Sequence, residues 1–206
     1  MKKEKIKEKI KTLINKYSIP LNEEKIEKLS EFATEVIDKN KKINLISKKD
    51  EEKIVERHIL DSLMFFKLNL DVSENQRLLD IGSGGGFPGI VIAIVNENLK
   101  ITLAEKKSKK QLFLFWIKEK LRLKNIEILK KEVKGDEELF FDIITQRAAG
   151  KIDVIYPIAM DLLKYNGVFV SWMAKSDAIS YQNKPDFIYN YYLEDRIERV
   201  ICIWRK

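Results

Sequence analysis

The 206 residues include one cysteine, one histidine and four prolines. Cys202 alone cannot form a disulfide within the chain, which suits a reducing cytoplasm and a cytoplasmic protein. A single histidine and no cysteine pair cannot supply zinc-type ligand spacing, so no metal is expected. His58, with no cysteine or serine partner in view, makes no hydrolytic triad. On its helix face it reads as a packed residue hydrogen-bonded to Asp61 three positions on. No apolar run approaches the roughly 20 residues that cross a bilayer, so no membrane is expected. The basic N-terminus spaces Ile6, Ile10, Leu13 and Ile14 along a helix face, unlike a signal-peptide core. There is no internal repeat and no low-complexity segment.

What is plentiful is positive charge. Thirty-nine Lys and Arg residues stand against 32 Asp and Glu, a net charge of +7. Between Lys106 and Lys134 the cations are opposed only by Glu119, Glu127 and Glu132. That stretch is either a flank for a polyanion such as nucleic acid or a solvated helix face.

The apolar periodicity predicts a helix over 2–17 and a second from Asn22, its cap, through Ile26, Leu29, Ala33, Val36 and Ile37. Ser47 and Asp50 read as a capping signal for a third helix to about Leu68. These three helices form an N-terminal extension, residues 1–72, packed on a domain of residues 73–206 as one compact unit. Within that domain strands are predicted to end at Asp80, Glu105 and Leu129, with later strands over Phe141–Gln146 and Val168–Met173. A helix over 108–122 would carry Leu112, Phe115, Trp116 and Leu123 on one face, and another helix would run over 153–163. Alternating strands and helices predict an α/β fold with a mostly parallel, seven-stranded sheet. The last two runs, Phe187–Leu193 and Val200–Trp204, are too close for a crossover helix, so the final strand is expected to be antiparallel.

The most informative stretch is Asp80-Ile81-Gly82-Ser83-Gly84-Gly85-Gly86-Phe87-Pro88-Gly89. A strand ends in an acid, a glycine loop follows, and Pro88 opens a helix from Gly89 to Val95. Glu105 closes the second strand, where a carboxylate can accept both ribose hydroxyls of an adenosine. Asp80 beside the loop would repel a pyrophosphate but suits an amino group. These features predict a ligand with adenosine at one end and an ammonium at the other, the shape of S-adenosylmethionine. Arg147 and Lys175 follow the fourth and fifth strands, so both are expected in the crevice at the carboxyl edge of the sheet. There they would position substrate through a phosphate or a base edge.

Absences narrow the reaction. No cysteine follows either strand, as pyrimidine C5 methylation requires. Gln146-Arg147-Ala148-Ala149 stands where amino-group methylation uses an Asp/Asn-Pro-Pro-aromatic tetrad. Transfer to guanine N7 needs neither nucleophile nor base, because the lone pair carries no proton. A nicotinamide-dependent oxidoreductase and a non-catalytic RNA-binding assembly factor are the competing classes; Asp80 and the lack of a Tyr-x-x-x-Lys relay argue against the first.

Several segments resemble the bacterial small-subunit ribosomal RNA methyltransferase G family, also called glucose-inhibited division protein B. They are Asn44-Leu45, the run Arg57-His58-Ile59-Leu60-Asp61-Ser62-Leu63, the Asp80–Gly89 loop with its Phe-Pro-Gly ending, Arg147-Ala148, and Ile203-Trp204-Arg205-Lys206. The resemblance implies a class I S-adenosylmethionine-dependent methyltransferase (Rossmann-like) fold. It also implies methylation at N7 of guanine 527, in the 530 loop of 16S ribosomal RNA, within the 30S subunit and by a monomer. By that resemblance, Asp80, Gly82, Ser83, Gly84, Gly86, Phe87, Glu105, Val133 and Arg147 would form the cofactor site, and Arg147 and Lys175 would face the RNA. The chain departs from the family at Glu132-Val133-Lys134-Gly135, where Arg followed by acids is usual, and at Lys175-Ser176, where Lys-Gly is usual.

Overall fold

The computed structural model describes residues 2–135, 139–193 and 197–206. Its strands are β1 (Arg77–Ile81), β2 (Lys100–Ala104), β3 (Ile126–Leu129), β4 (Phe141–Arg147), β5 (Leu163–Met173), β6 (Phe187–Tyr192) and β7 (Glu198–Arg205). They form one sheet in the order β3-β2-β1-β4-β5-β7-β6. All run parallel except β7, which lies antiparallel between β5 and β6. The strand order reverses at β1, between β2 and β4, which opens a crevice at the carboxyl edge there.

The helices are α1 (Lys3–Lys16), α2 (Glu23–Ile43), α3 (Asp61–Leu63), α4 (Gly89–Val95), α5 (Ser108–Lys120), α6 (Ile152–Leu162) and α7 (Lys175–Ser180). Strand side chains alternate between faces. Leu78, Ile101, Ile143 and Val170 join one apolar cluster with residues of α1, α2, α4 and α5 and of the segment 54–68. Their neighbours Leu79, Ile144, Phe169 and Trp204 face the other way, onto α6 and α7. The extension therefore shares its core with one face of the sheet. Cys202 is fully buried in the second cluster, and burial pushes its thiol up to about 11.

Much of the expected framework is present. Asn22 caps α2 by accepting from the Lys25 N–H at 2.9 Å. The glycine loop opens α4 at Gly89. Four expectations are corrected. Ser47 caps nothing, and the third helix is broken into a 3-10 turn at Lys48–Asp50, a π turn over Val55–Leu60, the single α turn of α3 and a 3-10 turn over Met64–Lys67. Asp50, which was to help cap that helix, instead bonds Arg57 Nη1 at 2.7 Å. Helix α5 buries Phe113, Leu114 and Ile117, leaving Leu112 and Trp116 exposed. Residues 112–117 are all apolar, so periodicity could not choose its face. Strand β5 begins at Leu163, with Asn166 in the left-handed region inside it. Helix α7 was not anticipated.

At the end of α2, buried Asn40 fixes the connection. Its Oδ1 accepts from the Leu45 and Ile46 N–H groups at 2.7 and 2.9 Å, and its Nδ2 donates to Glu51 Oε1 at 2.7 Å. This clamp lays the Leu45 carbonyl against Gly85, 3.0 Å from where a Cβ would stand. Asn40→Ala strands two backbone donors, at about 1–3 kcal/mol each when buried. Urea unfolding should show a loss of about 3 kcal/mol; a loss under 0.5 kcal/mol would mean that water replaces the carboxamide.

Candidate functional site

The site begins with Asp80. Its carboxylate has no exposure and accepts from Thr145 Oγ1 at 2.9 Å and from the Gly89 N–H at 3.2 Å. Burial raises it to about 6, against the opposing pull of these donors. The group expected to meet a ligand ammonium is thus sealed beneath the loop, tying the end of β1 to β4 and to the start of α4. Gly89 admits it: a Cβ there would lie 2.7 Å from Asp80 Oδ2 and 2.3 Å from Leu103 Cδ2.

Above Asp80 the loop turns through positive φ at Gly82, Gly84 and Gly86. Ser83 donates its hydroxyl to the Asp80 carbonyl at 2.9 Å. Glu105 holds the loop from the side, accepting from the Gly84 N–H at 3.0 Å and the Lys107 N–H at 2.8 Å. Each Glu105 oxygen retains one acceptor site. At Gly84 a Cβ would meet nothing nearer than Lys110 Nζ, at 3.5 Å, so its backbone lies open to an approaching ligand.

That loop floors a cavity of about 950 Å³. Of the expected cofactor residues, Gly82, Ser83, Gly84, Phe87 and Arg147 line it. Asp80, Gly86, Glu105 and Val133 do not. Gly86 is wedged against Ile90 and Phe32, and Val133 packs in the second apolar cluster. Lys175 also lies outside the lining; its ammonium pairs with Glu198 Oε1 at 2.7 Å. The open Gly84 backbone and the size of the cavity fit an adenosine-bearing cofactor, and the free acceptor sites of Glu105 lie beside the loop, outside the lining. Asp80 is fully buried and does not line the cavity.

The opposite wall is a charged network that the sequence did not disclose. Arg147 Nη1 donates to Asp61 Oδ2 and to the Arg57 carbonyl, each at 3.0 Å, and Nη2 donates to His58 Nδ1 at 2.6 Å. The guanidinium also lies over the Phe87 ring, 5.2 Å from its centroid. Asp61 is 3% exposed and takes further bonds from the Tyr191 hydroxyl and, at its carbonyl, from Trp172 Nε1 at 2.9 Å. The His58–Asp61 pairing read from the sequence is therefore replaced. Arg147 takes Asp61, and His58 turns to Asp50 Oδ2 at 3.3 Å.

The tautomer of His58 follows. Arg147 can only donate, so Nδ1 accepts and the proton sits on Nε2, facing Asp50. Burial first, then the Arg147 charge, lowers the imidazole to about 3. Burial opposes ionisation of Asp50, but Arg57 and His58 more than offset it and its pKa falls. Burial, then Asp61, raises the Tyr191 phenol, which remains a donor.

Asp50, Trp172, Tyr191 and Arg199 were not foreseen as site residues. Asp50 read as a cap, Trp172 and Tyr191 as strand residues, and Arg199 fell just before the last expected strand. Only the run Arg57-His58-x-x-Asp61 carried a signal, and the π turn over Val55–Leu60 is what lets that run reach the cavity while Val55, Ile59 and Leu60 stay buried.

The family model described as GidB, rRNA small subunit methyltransferase G, matches residues 25–196. A Mycoplasma capricolum protein named ribosomal RNA small subunit methyltransferase G is 36% identical over 159 residues, covering 76% of this chain and 68% of that protein. The crystal structure of precorrin-6y C5,15-methyltransferase from Geobacter metallireducens aligns at a TM-score of 0.51 and 17% identity, over 79% of this chain and 91% of that one. A T. thermophilus 16S rRNA methyltransferase, solved in complex with AdoMet and guanosine, aligns at 0.55 and 19% identity, over 72% and 42%. Both structural matches share the class I S-adenosylmethionine-dependent methyltransferase fold.

Two titrations test this electrostatic arrangement. A raised Asp80 keeps its proton in the folded chain when the unfolded chain has lost it, so its contribution to stability is full below about pH 4 and is lost as pH rises through 6. The stability of the wild type relative to Asp80→Asn should fall by about 2–3 kcal/mol between pH 4 and 7; a constant difference would mean that Asp80 ionises as an exposed acid does. His58, the only histidine, should give one imidazole resonance by NMR that does not move between pH 8 and 5. The unfolded chain takes this proton near 6.5, so the residue weakens the fold as pH falls below that value. A midpoint near 6.5 in the folded protein would refute the buried, Arg147-bound state.

Proposed function

The chain belongs to the rRNA small subunit methyltransferase G family, and from that premise we propose that its cavity aligns N7 of one guanine in 16S ribosomal RNA with the methyl group of S-adenosylmethionine. The protein is an S-adenosylmethionine-dependent rRNA methyltransferase. The N7 position, the 530 loop at nucleotide 527, the 30S subunit as substrate and a monomeric enzyme are our reading.

The observation that carries the N7 assignment is the engagement of His58. Both ring nitrogens are committed, Nδ1 to Arg147 and Nε2 to Asp50. Both Asp61 oxygens are committed as well, to Arg147 and Tyr191. This part of the wall supplies shape and charge, and its imidazole has no free nitrogen to accept a proton. Guanine N7 has no proton to remove, so alignment and exclusion of water are sufficient.

S-adenosylmethionine supplies a methyl group already activated on a sulfonium. Gly82, Ser83 and Gly84 would hold its amino-acid end along the open loop backbone, and the remaining acceptor sites of Glu105 would take its ribose. Val133 would back the adenine from the core side. Phe87, backed by Phe32 and His58 at centroid distances of 4.9 Å, offers an apolar surface between the two halves of the cavity. Arg147 acts on that surface from above as a fixed positive charge. The cavity, near the upper end of the roughly 300–1,000 Å³ usual for ligand sites, leaves room for a base beside the cofactor.

Labelled S-adenosylmethionine should transfer its methyl group to 30S subunits from a strain lacking the family enzyme. Borohydride–aniline cleavage should then map one 7-methylguanine to the 530 loop. Label at an exocyclic amine would overturn the N7 reading, and label at another guanine N7 would overturn the 530-loop target.

A further inference from the structure

Arg147 and Lys175, the two cations expected to face the RNA, are both neutralised within the protein. Among the described residues the Arg199 side chain has no hydrogen bond or ion pair, and its buried Nε has no partner. A buried, unpaired guanidinium donor costs about 1–3 kcal/mol or more, so its persistence on a cavity wall points to an absent acceptor. Arg199 lines the cavity.

Topology explains how a residue so late in the chain reaches the site. Strand β7 runs antiparallel to β5, with Val200 opposite Met173. Its first residues therefore arrive at the carboxyl edge of the sheet, where the other strands end. Arg199 pairs in register with Tyr191 on β6, whose hydroxyl holds Asp61. Its charge also reaches His58. It thus stands beside the Arg147 network. From β1, which carries the glycine loop, β7 is three strands away, roughly 14 Å at the usual spacing. That distance places Arg199 on the acceptor half of the cavity, away from Gly82 and Gly84.

The charge balance has the same sense. Arg57, Lys110, Arg147, Lys151 and Arg199 line the cavity with Asp50, Asp61, Asp153 and Asp177, and with His58 neutral the balance is one positive charge. Asp50 and Asp61 are bound to Arg57 and Arg147.

We propose that Arg199 is the anion-binding residue of this cavity and takes a backbone phosphate of the RNA, next to the nucleotide being methylated. The planar guanidinium can grip two phosphate oxygens at once, which a lysine cannot. Arg147 then becomes a positioning residue, which holds Phe87 and the extension in place, and Arg199 makes the contact that the sequence had assigned to Arg147. The proposal rests on the rRNA methyltransferase reading and deepens it.

The test compares wild type, Arg199→Gln and Arg199→Lys in three measurements: binding of 30S subunits across a salt series, methyl transfer, and binding of S-adenosylhomocysteine. Arg199→Gln should weaken subunit binding about tenfold and reduce the slope of log K against log salt by about 0.7–1, one phosphate contact. Arg199→Lys should keep the slope and lose only a few-fold in affinity. S-adenosylhomocysteine should bind all three equally. Weakened S-adenosylhomocysteine binding with an unchanged salt slope would overturn the proposal in favour of the cofactor carboxylate. An unchanged slope with unchanged ligand binding would overturn it in favour of a packing role. If Arg199→Gln fails to fold, Arg199→Lys decides: unchanged subunit affinity would refute bidentate contact. Wild-type protein that binds subunits with the expected slope but transfers no methyl group would count against the methyltransferase reading alone.

Discussion

The structure turns on one buried ion pair, Arg147 with Asp61, whose side chains are 14% and 4% exposed. It joins the end of β4 to the helical extension. A buried pair of this kind gains stability only if its remaining donors and acceptors are satisfied. Here they are met by the Arg57 carbonyl, His58, Tyr191 and Trp172. These partners come from three parts of the chain, the segment 57–61, β5 and β6, so the pair fixes how the extension, β5 and β6 sit around the cavity. Removing one member would leave the other charged and buried, at a cost of about 3–5 kcal/mol.

A second constraint works from below. Asp80 fastens the glycine loop to the sheet and to α4, and Glu105 fastens it from β2. The loop is therefore preformed, with its backbone donors already partly committed. A preformed loop and a cross-braced wall suit a reaction that proceeds by alignment, because little ordering remains to be done when the ligands meet. The two carboxylates read from the sequence as ligand contacts serve first as struts.

The sequence was most informative where a local rule decides the structure. Asn22 caps its helix, the glycine run leaves β1 for α4, and the short gap before the last strand forces an antiparallel return. It was least informative where a choice depends on what lies across the fold. Six consecutive apolar residues in α5 cannot say which face is inward. Within the 54–67 segment, which breaks into π, α and 3-10 turns, His58 and Asp61 meet partners distant in sequence, Arg147 and Tyr191. Arg147 was placed in the right crevice, but its saturation by Asp61 and His58 could not be seen. Arg199 had no motif at all; its position follows only from the register of β7 on β5.

The reversed strand has a consequence for biosynthesis. The cavity wall draws on residues near position 60 and on Arg199, more than 130 residues later. A nascent chain can form α1, α2 and much of the parallel sheet during synthesis, yet its anion-binding wall stays incomplete until β7 has left the exit tunnel. The cavity is therefore completed only when β7 has paired with β5, however much of the parallel sheet has already formed.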